Sequence, residues 1–109
     1  MDIFDSLSKL LPYADVHPKV RAFLSQANDH QVVFMEFTED VDVPQHSHGA
    51  QLEIVVDGEM ELTTQGTTKT YRTGDWFYLD AGVMHGAQVK KGYRSIGVFF
   101  QNDRYKEKV

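Results

Sequence analysis

His46 and His48 stand one residue apart in Pro44-Gln45-His46-Ser47-His48-Gly49-Ala50-Gln51, and His85 follows much later, at the end of the segment that opens at Gly74. Side chains alternate along an extended segment, so His-x-His presents both imidazoles on one side. A third ring brought in from another strand completes a set that can hold a metal ion. The chain has no cysteine. Disulfides and thiolate sites are therefore excluded, and any metal must use imidazole, carboxylate, amide or water. His17 and His30 have no such partners and read as surface or loop residues.

Strands must position these rings. Gln31 to Phe37 is β-branched and aromatic. Gln51 to Val56 and Glu59 to Thr64 flank Asp57-Gly58, which signals a two-residue hairpin. That hairpin would pair Val56 with Glu59, Val55 with Met60 and Glu53 with Leu62. Gln65-Gly66 turns the chain into Thr67 to Arg72, and Thr73-Gly74-Asp75 into Trp76 to Leu79. Ala81-Gly82 and Lys91-Gly92 bound a further segment, and Tyr93 to Phe100 is the last strand. Residues 2–11 carry apolar side chains at helical spacing up to Pro12. The charged tail from Asn102 to Val109 is expected to be loosely held. Short strands between glycine turns indicate an all-β sandwich or barrel with a short N-terminal helix.

The chain has 109 residues, 41% hydrophobic and 25% charged, which suits one compact domain over residues 1–109 with its core at about 30–100. A net charge of -5 and no basic run beyond Lys90-Lys91 argue against a nucleic-acid partner. No apolar stretch is long enough to cross a bilayer, and the acidic start is unlike a signal peptide. The expected setting is the cytoplasm.

The order of these signals resembles the cupins, in particular small single-domain cupins that act on unsaturated uronates. His46-Ser47-His48 fits the core of the first cupin motif, and Gly74, Gly82 and His85 fit the second, where Asp80 and Val89 replace its Pro and Asn. The resemblance covers residues 30–100 or so. It implies a jelly-roll (double-stranded β-helix) barrel that binds one divalent transition metal, Zn, Ni, Fe, Mn or Cu, through His46, His48, His85 and a fourth residue. Glu53 lies four residues beyond His48, but Gln51 has the expected six residues before Gly58. Because a one-residue slip reverses the faces of a strand, Gln51 is the favoured ligand and Glu53 the alternative. In the uronate-acting cupins the last strand carries an Asp, a Phe two residues on and then an Arg. Here Phe99 fits the aromatic, Gly97 replaces the Asp, and Arg104 comes one position late.

Three neutral imidazoles and a neutral amide leave a divalent ion its full charge, which favours an anionic ligand group or an acidified water. Glu53 shares the face of Gln51 roughly 6–7 Å along the strand, so it is the expected acid/base residue. That face, with Val55, Met60 and Leu62, reads as interior. The opposite row, Leu52, Ile54 and Val56, needs a cover, from the N-terminal helix or from a second subunit in a homodimer. Trp76, Phe77, Tyr78, Phe99 and Phe100 read as mostly core, with one or two lining a pocket. Three functions compete: a metal-dependent lyase or isomerase acting on a small anionic or polyhydroxylated metabolite such as a sugar acid, a dioxygenase or isomerase of another cupin branch, and a non-catalytic metabolite binder or sensor.

Overall fold

A computed structural model describes residues 2–109. A helix α1 (Ile3–Leu7) precedes strands β1 (Ala14–Asp15), β2 (Val20–Gln26), β3 (Gln31–Phe37), β4 (Val41–His46), β5 (Gln51–Asp57) and β6 (Glu59–Thr64). Strands β7 (Thr67–Arg72), β8 (Trp76–Leu79), β9 (His85–Val89), β10 (Arg94–Phe99) and β11 (Lys106–Glu107) follow. Two antiparallel sheets face each other, one ordered β2-β3-β10-β5-β8 and the other β4-β9-β6-β7. This is the expected all-β jelly roll. Much of its interior is built from alternate strand residues: Val33, Met35 and Phe37 on β3, Gln51, Glu53 and Val55 on β5, Met60 and Leu62 on β6.

The expected Asp57-Gly58 hairpin does not form. β5 pairs with β10 and β8, and β6 pairs with β9 and β7. The chain turns a corner there, from one sheet into the other. A corner needs a positive-φ residue as a hairpin does, so the local signal is the same; distant strands choose the pairing. Gly58 has φ of 75°, and a Cβ on it would lie 2.9 Å from Tyr93 Cα, so only glycine fits. The inward rows survive this change of partners.

The tail is also better held than its charge suggests. Lys106–Glu107 pairs with Ala14–Asp15, and Gln31 explains why. Its side chain is 0% exposed. Its Oε1 accepts from Tyr105 N–H at 3.0 Å, and its Nε2 donates to the Tyr105 carbonyl at 2.7 Å. One amide thus pairs both backbone groups of Tyr105, as a neighbouring strand would. The resulting strap crosses one side of the barrel and carries Arg104.

Helix α1 is shorter than the expected 2–11. Asp2 caps it by accepting from Phe4 N–H, and Phe4 packs on Phe23 with ring centroids 6.5 Å apart. Leu10 finds no such cover and is exposed, so nothing extends so short a helix. The helix therefore covers one corner of the five-stranded sheet. Two apolar cross-strand rows remain open on its outer face: Phe34, Ile96, Ile54, Trp76 and Val32, Val98, Leu52, Tyr78. Among the aromatics expected in the core, Phe77 and Phe99 are buried; Trp76, Tyr78 and Phe100 are exposed. Strand alternation dictates this for Trp76 and Tyr78, which flank Phe77.

Candidate metal centre

Val41 and Val43 point inward from β4, so simple alternation would also turn Gln45 inward and His46 outward. A bulge prevents this. Val43 pairs with Ala87 and His46 with His85, leaving Pro44 and Gln45 opposite Gly86 alone. The extra residue reverses the alternation and aims His46 at His85. Pro44, with no N–H to give a ladder, suits this position. Gly86 is required opposite it: a Cβ there would lie 2.9 Å from both the Val43 carbonyl oxygen and Gln45 Nε2. Beyond the bulge, the His48 carbonyl accepts from Gly82 N–H at 2.9 Å, which ties His48 to the loop leading into β9.

The three rings converge. Centroids are 5.2 Å apart for His46 and His48, 4.3 Å for His46 and His85, and 4.7 Å for His48 and His85. One nitrogen from each lies within 4.8 Å of the others. Each Nδ1 meets a backbone carbonyl: Pro44 at 2.9 Å, Gly49 at 2.7 Å and Val83 at 2.9 Å. A carbonyl only accepts, so each Nδ1 carries the proton and each Nε2 keeps a free lone pair. That is the donor set a transition metal needs, and the three histidines can bind one.

Below the rings, β5 carries Gln51 and Glu53, both buried. Gln51 Nε2 donates to Glu53 Oε1 at 3.1 Å, and Tyr93 O–H donates to Glu53 Oε2 at 2.8 Å. Burial pushes the Glu53 carboxyl above its usual range, against the pull of these hydrogen bonds. Among the described residues Glu53 is not part of the ligand cluster; its oxygens are engaged elsewhere. Gln51, with Nε2 committed downward, retains Oε1 as a free acceptor. Gly97 pairs across from Glu53, and a Cβ on it would lie 2.9 Å from the Phe99 ring and 3.0 Å from Glu53 Oε1.

A cavity of about 290 Å³ runs from the histidines into the barrel. Phe77 and Phe99 line it, as the sequence suggests for one or two aromatics. His17 is exposed, as expected, but it also lines the cavity, as does Arg104. Spacing gives no sign of His17, because it lies on the loop before β2, far in sequence from the other histidines, and is tied there by its carbonyl accepting from Val20 N–H at 3.0 Å. Among the described residues no carboxylate forms an ion pair with Arg104, and its Nε is buried without a hydrogen-bond partner.

Residues 33–92, more than half of the chain, match the family described as "Cupin domain". This chain belongs to the cupin family. Solved cupins share its fold. KdgF from Halomonas sp. is 25% identical with a TM-score of 0.72, over 84% of this chain and 88% of that one. An RmlC-like cupin from Shewanella frigidimarina is 24% identical with a TM-score of 0.75, over 88% and 87%. Oxalate decarboxylase of Bacillus subtilis, which has Mn(II) centres, is 17% identical with a TM-score of 0.66, over 84% of this chain and 28% of that one. No curated protein sequence matches the chain. Among the described residues no helix is long and apolar enough to cross a membrane.

Desolvation lowers the pKa of His48 to about 4, helped by the nearby Arg104, and lowers that of His85 for the same first reason. Between pH 6.5 and 4 the unfolded chain takes up protons that these folded histidines refuse. This part of the metal-free cupin's stability is present above pH 6.5 and is lost as pH falls towards 4. In chelator-treated protein, the melting temperature of wild type relative to His48→Gln is expected to fall over that window. A constant difference would show that His48 titrates normally.

Proposed function

We propose that this cupin binds one divalent metal through His46, His48, His85 and Gln51, and that it binds and acts on a small anionic metabolite beside it. The carrying observation is Arg104, a cation without an acid partner, lining the same cavity as the histidines. A divalent metal there would supply a second positive centre that polarises a bound oxygen. Around it the protein offers charge but little compensation, since Glu53 is shared between Tyr93 and Gln51. Glu53 is the buried carboxyl facing the cavity, so any proton the reaction moves is assigned to it. Sugar acids, the substrates of the cupins it resembles in sequence, are one class of such anions.

A non-catalytic binding role is favoured by one observation. The resembled enzymes have Asp where Gly97 stands, and even a Cβ there would press on Glu53 and Phe99. Little or no turnover of unsaturated uronates is expected.

The anion reading is tested with zinc-loaded protein and butanoate. Charge-assisted hydrogen bonds give Arg104→Ala an expected loss of about 10- to 100-fold in affinity by calorimetry, at unchanged zinc content. Wild-type affinity in that variant would sink the reading.

The cupin is further proposed to be a homodimer through the outer face of the five-stranded sheet. Trp76 is 64% exposed and Tyr78 51%, at the end of two apolar rows four strands wide, and Ile54, within one of them, is 40% exposed. Four strands span roughly 20 Å, which gives the two rows the length to form the apolar centre of an interface whose rim the neighbouring polar residues would supply.

A further inference from the structure

We infer that the cavity beneath the histidines takes a carboxylate with an unbranched or branched apolar body of about four to eight carbons, in preference to a sugar acid. This rests on the anion reading above and names the substrate class for the same site.

The hydroxyls of a polyol would go largely unpaired in this cavity. Below the rings the cavity wall is Met35, Val43, Met60, Leu62, Ala87 and Val89. Apart from Val43, where the bulge begins, these are inward residues of continuously paired strands, so their backbone groups are already spent on the ladders. At this depth Gln51 Nε2 and the Tyr93 hydroxyl both donate to Glu53, which leaves Gln51 Oε1 among the few groups free to meet a ligand hydroxyl. A polyol pushed into this space would strip water from several hydroxyls and find few partners for them. An apolar chain gives up nothing of the kind.

The space owes part of its depth to a small residue in the middle of the barrel: Ala87 lines it and pairs with Val43 and Leu62. A larger side chain there would fill the interior. The volume of about 290 Å³ holds about ten non-hydrogen atoms at the ~30 Å³ a water occupies in the liquid. At the mouth, Arg104 fixes the carboxylate and so sets which end enters last.

The experiment is a chain-length series. Straight-chain carboxylates from propanoate to decanoate, and galacturonate, are titrated calorimetrically into zinc-loaded protein. Affinity is expected to rise roughly two- to fourfold per methylene, to level off near octanoate, and to exceed that of galacturonate from pentanoate onwards. Ala87→Leu, which fills the middle of the cavity, is expected to weaken heptanoate at least tenfold and leave propanoate and zinc content unchanged. An affinity independent of chain length, or galacturonate binding more tightly than hexanoate, overturns the inference and leaves the anion reading intact. A length dependence untouched by folded, zinc-replete Ala87→Leu also overturns it, since the chains then bind elsewhere. If no carboxylate binds at all, the anion reading itself has failed. The wild-type series decides the matter even if the variant does not fold.

Discussion

Replacing His46 and His48 together by alanine is expected to abolish metal binding. Each contributes one free Nε2, held in place by an Nδ1 hydrogen bond to a backbone carbonyl. Loss of a group that only supports a ligand costs about 10–100-fold in metal affinity. Two ligands lost together are therefore expected to cost more than about 10⁴-fold, and His85 with an amide cannot compete for the ion. Elemental analysis of the variant, purified without an affinity tag, should find no stoichiometric metal; unchanged content would sink the site. Graded losses should appear at the floor. Gln51→Ala is expected to weaken metal binding more than Glu53→Ala, because Glu53 is turned towards Tyr93 and Gln51. The reverse order would make Glu53 the fourth ligand.

Ile54→Lys is expected to break the proposed homodimer. Ile54 sits mid-row between Ile96 and Trp76, so at a two-fold interface the substitution buries two unpaired charges. At about 3 kcal/mol for each, dissociation should rise about 10⁴-fold. Light scattering at high concentration should then give a dimer for wild type and a monomer or aggregate for Ile54→Lys. A monomeric wild type would refute the interface outright.

Strand positions were legible because alternation and glycine turns are local. β3, β6, β7 and β8 fall where their sequence places them, and so does the inward row from Gln51 to Leu62. Pairing is decided by distant segments, which is why Asp57-Gly58 misleads. The histidine triad was visible as three residues, but not the bulge that aims His46. Its signal is there in hindsight: a proline inside a strand, and a glycine next to His85. Arg104 was legible only by resemblance. The residue that holds its strap, Gln31, stands on the inward row with Val33, Met35 and Phe37. A lone amide on an apolar row announces a buried hydrogen-bond partner, though not that the partner is Tyr105.

The jelly-roll order has a kinetic consequence. β3 waits for β10, and β4 for β9; each pairing closes a loop of several dozen residues. Such topologies fold slowly, since chain entropy is lost before the contacts that reward it form. The ligand cluster exists only when β4 and β9 have met across their bulge. Early in folding there is no site to occupy, only separate imidazoles on a mobile chain. An ion that binds the finished cluster would act as a brake on unfolding rather than a guide to folding. The lifetime of the native state, more than the speed of reaching it, would then track metal supply.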